Sequence, residues 1–81
     1  MNCKHCNKPL NAAQYHNDLK SCPNCSTQNG VEHVFYRYPE AFGTTPLRAT
    51  SVRPDGPQSH CTACRGGQVQ TEFNKTLCSE K

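Results

Sequence analysis

The 81-residue sequence predicts a small, irregular α+β fold whose stability rests on side-chain chemistry more than on an apolar core. Only 33% of the residues are hydrophobic and there is no Trp, so the chain buries too little apolar surface to offset its conformational entropy unaided. Against that stand three Cys-x-x-Cys pairs, Cys3/Cys6, Cys22/Cys25 and Cys61/Cys64. Cysteines at that spacing present two thiolates to one tetrahedral ion, and two such pairs complete a closed structural zinc site. Each ion so bound contributes about 10 kcal/mol or more of apparent folding free energy. The fold is therefore expected to be metal-stabilised and to hold one or two Zn2+ ions. All six paired cysteines are candidate ligands.

The elements follow in chain order. Residues 1–26 hold two pairs on either side of a polar segment, Asn7 to Ser21. Residues 31–38, Val-Glu-His-Val-Phe-Tyr-Arg-Tyr, are β-branched and aromatic-rich and predict a strand, which Pro39 ends. Residues 43–60 are rich in Thr, Ser, Pro, Gly and Arg and predict a long loop with a turn at Asp55-Gly56. In the tail, 66–81, Val69, Thr71 and Phe73 alternate as in a strand, while Val69, Phe73 and Leu77 recur every four residues. Gln, Glu and Lys between them tip the expectation to a C-terminal helix. The chain is expected to form one compact zinc-binding domain, 1–81, with sub-modules 1–26, 27–65 and 66–81.

Two pairings of the cysteines compete. Cys3, Cys6, Cys22 and Cys25 would form a local site at a spacing typical of zinc ribbons. Alternatively Cys22 and Cys25 join Cys61 and Cys64. Lengthening the closed loop from roughly 15 to roughly 35 residues costs only about 0.8 kcal/mol more, so loop entropy does not choose. The pair left over needs partners from His5, His16, His33, His60 and Cys78. His5 lies inside its own pair, and His60 abuts Cys61. On a straight helix Cys78 would lie about 21 Å beyond Cys64, too far to share its metal. Cys78 could still meet Cys3 and Cys6 in the fold, but the expectation is a free tail thiol, with His16 and His33 as surface imidazoles.

Cys3-Lys-His-Cys6-Asn-Lys-Pro-Leu and Cys22-Pro-Asn-Cys25-Ser resemble zinc-ribbon knuckles. That family usually places Gly after the second Cys; here Asn7 and Ser26 stand there. Asn tolerates the left-handed backbone a knuckle needs, and Ser is less suited. Residues 22–65 look like a short zinc module found beside HNH and phage recombination-type endonucleases. Its Cys-x-x-Cys, aromatic segment and closing Asp-Gly-x-x-Ser-x-Cys-x-x-Cys-Arg match Cys22-Pro-Asn-Cys25, then Phe35 and Tyr36, then Asp55-Gly-Pro-Gln-Ser59-His-Cys61-Thr-Ala-Cys64-Arg65. The intervening segment is longer than that module usually has. The resemblance covers about half the chain. It implies zinc-ribbon or treble-clef-like knuckles, the second pairing, and a role near nuclease or phage DNA machinery.

Other cysteine chemistries fit less well. Haem attachment needs His after the pair, and Asn7, Ser26 and Arg65 stand there. A redox dithiol normally rides on a βαβ scaffold, of which there is no sign. A rubredoxin-like iron site uses similar knuckles, but the missing Trp and basic charge suit it poorly. Glu32-His33-Val34 resembles the start of an HNH site, yet the later Asn and His are not evident near the second pair. An enzyme is thus disfavoured, with a degenerate HNH-like nuclease as the enzymatic alternative.

The net charge is +3, from nine Lys and Arg against six Asp and Glu, which suits nucleic acid without demanding it. On a strand, His33, Phe35 and Arg37 share one face, which could stack on bases and meet phosphates of DNA or RNA. Arg48, Arg53 and Arg65 flank the long loop as phosphate clamps. The rival expectation is a protein-interaction adaptor anchored by Phe35, Tyr36, Tyr38 and Phe42. No apolar signal region or membrane-spanning segment is evident, and the odd total of seven cysteines argues against a pure disulfide framework, so the reducing cytoplasm is the expected compartment.

Overall fold

A computed structural model describes residues 1–38, 40–44, 56, 58, 60–68, 70–71 and 73–81. Four short strands, β1 (Tyr15–His16), β2 (Leu19–Ser21), β3 (Val34–Arg37) and β4 (Thr76–Leu77), form one antiparallel sheet in the order β1-β2-β3-β4. Two short helices, α1 (Pro23–Asn29) and α2 (Thr62–Arg65), flank it, and a 3-10 turn at Cys78–Glu80 follows β4. The architecture is α+β.

Local chemistry explains each piece. His16 faces Leu19 across the β1–β2 hairpin, and Asn17 in its turn takes φ 54°, a region Asn tolerates. Pro23 opens α1, where its fixed φ fits and its missing N–H would have had no helical partner. Gly30 closes α1 at φ 75°, returning its N–H to the Ser26 carbonyl at 3.0 Å. Ser26 is wholly buried, and its Oγ accepts from the Val34 N–H at 2.9 Å, which pins α1 to β3.

β3 organises the interior. Val34 and Tyr36 join a cluster with Cys22, Ala41, Phe42 and Cys61. Phe35, between them, points to the opposite cluster with Cys3, Leu10 and Cys78. Period-two alternation thus gives each side of one strand its own core. Lys20 is buried too, its ammonium 4.4 Å from the Phe42 ring centre and donating to the Ser21 carbonyl.

Several expectations need correction. The strand occupies only Val34–Arg37 of the predicted 31–38. The predicted helix over 66–81 is absent from the described residues there, which instead hold β4 and the 3-10 turn. Leu77 pairs with Val34 and Thr76 with Phe35, so sheet pairing overrides a weak helical repeat. Phe73 and Leu77 pack on the Cys22 cluster. Ser26 lies within α1 and not in a left-handed knuckle. Pro39, Arg48, Arg53, Asp55, Ser59 and Val69 lie outside the described residues. Among the described residues, no helix is long and apolar enough to cross a membrane.

Candidate metal centres

Two groups of four side chains could each hold a metal ion. The first is Cys3, Cys6, His33 and Cys78; the second is Cys22, Cys25, Cys61 and Cys64, and within each the ligand atoms lie within 4.8 Å of one another.

The second centre is built twice by the same device. Cys22 is the N-cap of α1 and Cys61 the N-cap of α2, so Cys25 and Cys64 follow in the first helical turns. Each pair therefore directs two sulfurs to one side. Sγ–Sγ separations are 3.8 Å for Cys22–Cys64, 3.8 Å for Cys25–Cys61 and 3.4 Å for Cys25–Cys64. Four sulfurs at about 2.3 Å from one tetrahedral zinc stand about 3.8 Å apart, so the spacing fits that geometry. Donors surround the sulfurs: the Cys61 N–H to Cys22 at 3.5 Å, the Asn24 amide to Cys64 at 3.3 Å and the Tyr36 hydroxyl to Cys25 at 3.7 Å. Such outer contacts orient ligands and spread their charge.

The first centre gathers distant parts of the chain. Residues 1–10 form a knuckle in which the Cys3 N–H donates to Lys8 and the Asn7 N–H to Cys3. Asn7 adopts φ 62°, the left-handed conformation its side chain tolerates. The N–H groups of His5 and Cys6 point at Cys3 Sγ, at 3.4 and 3.5 Å. His33 Nδ1 lies 3.3 Å from Cys6 Sγ, while Nε2 lies 2.9 Å from the Pro9 carbonyl. A carbonyl only accepts, so Nε2 carries the proton and Nδ1 keeps its lone pair for an ion. β4 returns Cys78 to the same place.

These contacts divide the thiols. The Cys25 thiol, donating to Cys22, holds the latter well down, to about 4. Cys25 is correspondingly pushed up, first by that bond and then by burial. Burial pushes Cys64 up as well, and does the same to the Tyr36 phenol. At the first centre, burial opposes ionisation of Cys3, but N–H donors from Cys6, His33 and His5 bring it down to about 6. Burial pushes Cys78 up to about 12. Each centre thus mixes thiolate and thiol, and a divalent ion would replace the remaining protons.

The structure brings Cys22, Cys25, Cys61 and Cys64 together, the second of the two pairings, and separates Cys3 and Cys6 from Cys22 and Cys25. His33 is no surface imidazole and Cys78 no free tail thiol; they are 0% and 1% exposed, beside Cys3 and Cys6. Cys78 does stay apart from the Cys64 centre; β4, in place of the expected helix, brings it to Cys3 and Cys6 instead. The signal available was a ligand count: three pairs are one short of two closed sites, and one extra Cys plus one His complete them. His16 and His5 are exposed.

The candidate nucleic-acid contacts fare differently. Phe35 is 0% exposed, so its ring cannot stack on a base. Its face of β3 packs on the first centre. Arg37 is exposed but lies 3.4 Å from the Asp18 carboxylate and 3.5 Å from that of Glu40. Arg65 donates to the Phe42 carbonyl at 2.6 Å. Of the proposed adaptor anchors, Phe35, Tyr36 and Phe42 are buried, and Tyr38 is half-buried against Tyr15 in an edge-to-face contact at 5.3 Å. Glu32 accepts from the Ser79 N–H at 2.7 Å, a contact that lowers its carboxyl, so the Glu32-His33 motif serves the fold. Comparisons with protein-family models, curated proteins and solved structures give no match.

Proposed function

We propose that the chain is a two-zinc recognition module without catalysis of its own. One observation carries this: both candidate centres are complete with four protein ligands. A catalytic zinc keeps a position open for water or substrate, whereas closed sets rich in thiolate are structural. Thiolate and imidazole donors in tetrahedral spacing suit zinc over harder cations. Native mass spectrometry with metal analysis tests the proposal. Two zinc equivalents per chain are expected; iron in the four-cysteine centre, or fewer than two ions, would count against it.

The partner class favoured is a protein. Seven thiolates remove seven charges and two divalent ions restore four, which takes the formal charge from +3 to zero in the loaded chain. A neutral module lacks the long-range attraction that drives phosphate binding. The half-buried Tyr38 and 37%-exposed Tyr15 offer a small aromatic contact.

A nucleic-acid reading, DNA or RNA, keeps one specific support. Lys4, His5 and Lys8 are all exposed on the first knuckle, a local basic surface beside the first centre. Fluorescence anisotropy with single- and double-stranded oligonucleotides across a salt series separates the two. Binding that weakens steeply with salt, and that Lys4→Ala and Lys8→Ala each flatten by about one unit of slope, would install the nucleic-acid reading. Absence of binding at low salt supports the protein reading. Divalent-dependent cleavage would overturn both.

A further inference from the structure

We propose that the four-cysteine centre is a modification site for hydroperoxides, at which Cys25 and Cys64 join in a disulfide and the metal is released. This rests on the metal-loaded reading above.

The four sulfurs are not equivalent. Cys22 and Cys61 are 0% exposed. Cys25 and Cys64 are half-buried, and both line one cavity of about 230 Å³ with Gln28, Asn29, Tyr36 and Lys75. A water occupies about 30 Å³ of liquid, so a small hydroperoxide fits with room to approach either sulfur. The two lie 3.4 Å apart, closer than the 3.8 Å of Cys22–Cys64 or Cys25–Cys61. The first centre lacks this arrangement. There Cys3, His33 and Cys78 are buried at 2%, 0% and 1% exposure, leaving Cys6 as a half-buried sulfur with no second one beside it that solvent can reach.

The chemistry balances in two steps. One thiolate attacks the peroxide, forming S–O as O–O breaks; sulfur is oxidised to sulfenic acid and the leaving oxygen takes a proton. Gln28, Asn29 and Lys75 are among the residues that line the space that oxygen enters. The second thiolate then attacks the sulfenic sulfur, forming S–S as S–O breaks, and hydroxide leaves to become water. Two thiolates lose two electrons in all, and the peroxide is reduced to water (and, for an organic hydroperoxide, an alcohol). The two buried thiolates alone hold the ion too weakly to retain it.

The test uses the zinc-loaded full chain, hydrogen peroxide and a chromophoric zinc chelator, with peptide mapping by mass spectrometry. Release of one of the two zinc equivalents is expected, with a Cys25–Cys64 disulfide that a dithiol reductant plus zinc reverses. Asn24→Ala leaves all four ligands in place but removes a donor from Cys64 Sγ. With zinc in excess it should still take up two equivalents, though the four-cysteine centre binds more weakly. Its peroxide-dependent release, measured against a peroxide-free control of the same variant, should be several-fold faster. Simultaneous loss of both ions, a disulfide joining any other pair, no release at all, or an unaltered rate in Asn24→Ala would overturn the inference. A chain that holds no zinc before peroxide is added overturns the metal reading itself, and is told apart by the starting metal content.

Discussion

The backbone N–H of Cys78 donates to the backbone carbonyl of His33 at 3.0 Å, and both side chains stand in one candidate metal centre. The main chain thus places two ligands that the sequence leaves far apart. β4 makes that connection, and its pairing with Val34 and Phe35 sets the register of Thr76 and Leu77.

It follows that Cys78→Ser and His33→Ala should each remove about one zinc equivalent. Native mass spectrometry would read a fall from two ions to one, with the Cys22 centre still loaded. A Cys78→Ser chain that keeps both ions would show that the fourth ligand lies elsewhere.

Removing metal should unfold the protein. The chain has few apolar residues, and each ion supplies about 10 kcal/mol or more of apparent stability. Circular dichroism with a strong chelator should lose its cooperative melt and regain it when zinc is restored. A cooperative melt that survives metal stripping would contradict this.

Ser26→Ala removes the acceptor for the buried Val34 N–H and should cost about 1–3 kcal/mol, with metal content unchanged. Thr27→Ala, at an exposed neighbour, should cost much less. Denaturant unfolding of the zinc-loaded proteins gives both values; equal costs would show that the Ser26 bond does not anchor α1.

At Asn7, the φ of 62° makes the side chain's tolerance matter. Asn7→Gly should fold and load as well as the parent, while Asn7→Val should lose about 1–2 kcal/mol through backbone strain. Competitive zinc titration compares them, and indistinguishable affinities would mean the knuckle opens without penalty.

Zinc loading should release protons and strengthen as pH rises. Burial holds the Cys78 thiol up to about 12, and the bond to Cys22, followed by burial, pushes Cys25 up. Both therefore carry protons near neutrality in the metal-free chain and must lose them to bind. Lower pH favours the protonated, metal-free form, so apparent affinity should fall as acid is added. Zinc titrations in weak buffer at several pH values report the proton count; a pH-independent affinity would exclude these thiols as ligands.

Much of this was legible in the sequence for identifiable reasons. The Cys-x-x-Cys spacing is a local rule, and each of the three pairs does bring both its sulfurs to one candidate centre. The strand at Val34–Arg37 shows in its β-branched and aromatic residues. α1 was legible too, in Pro23 at its start and Gly30 at its end, but the pair Cys22/Cys25 draws the eye to a knuckle instead. The tail was not legible. Phe73 and Leu77 satisfy a helical repeat, yet they bury themselves only once β4 has found β3, and no local signal encodes a partner so distant in the chain. Phe35 misled for a related reason: an aromatic on a strand face looks like a platform until the opposing layer, here the first metal centre, is in place.

The order of the ligands along the chain has a temporal meaning. Cys3 and Cys6 emerge first during synthesis, Cys22 and Cys25 next, and His33 after them; Cys61 and Cys64 then close the later-opened centre, while the earlier-opened one waits for Cys78. The first clasp to open is the last to shut, and it encloses the other. A nascent chain interrupted anywhere before Cys78 leaves its leading knuckle unfinished, with two bare thiols to mark it as incomplete.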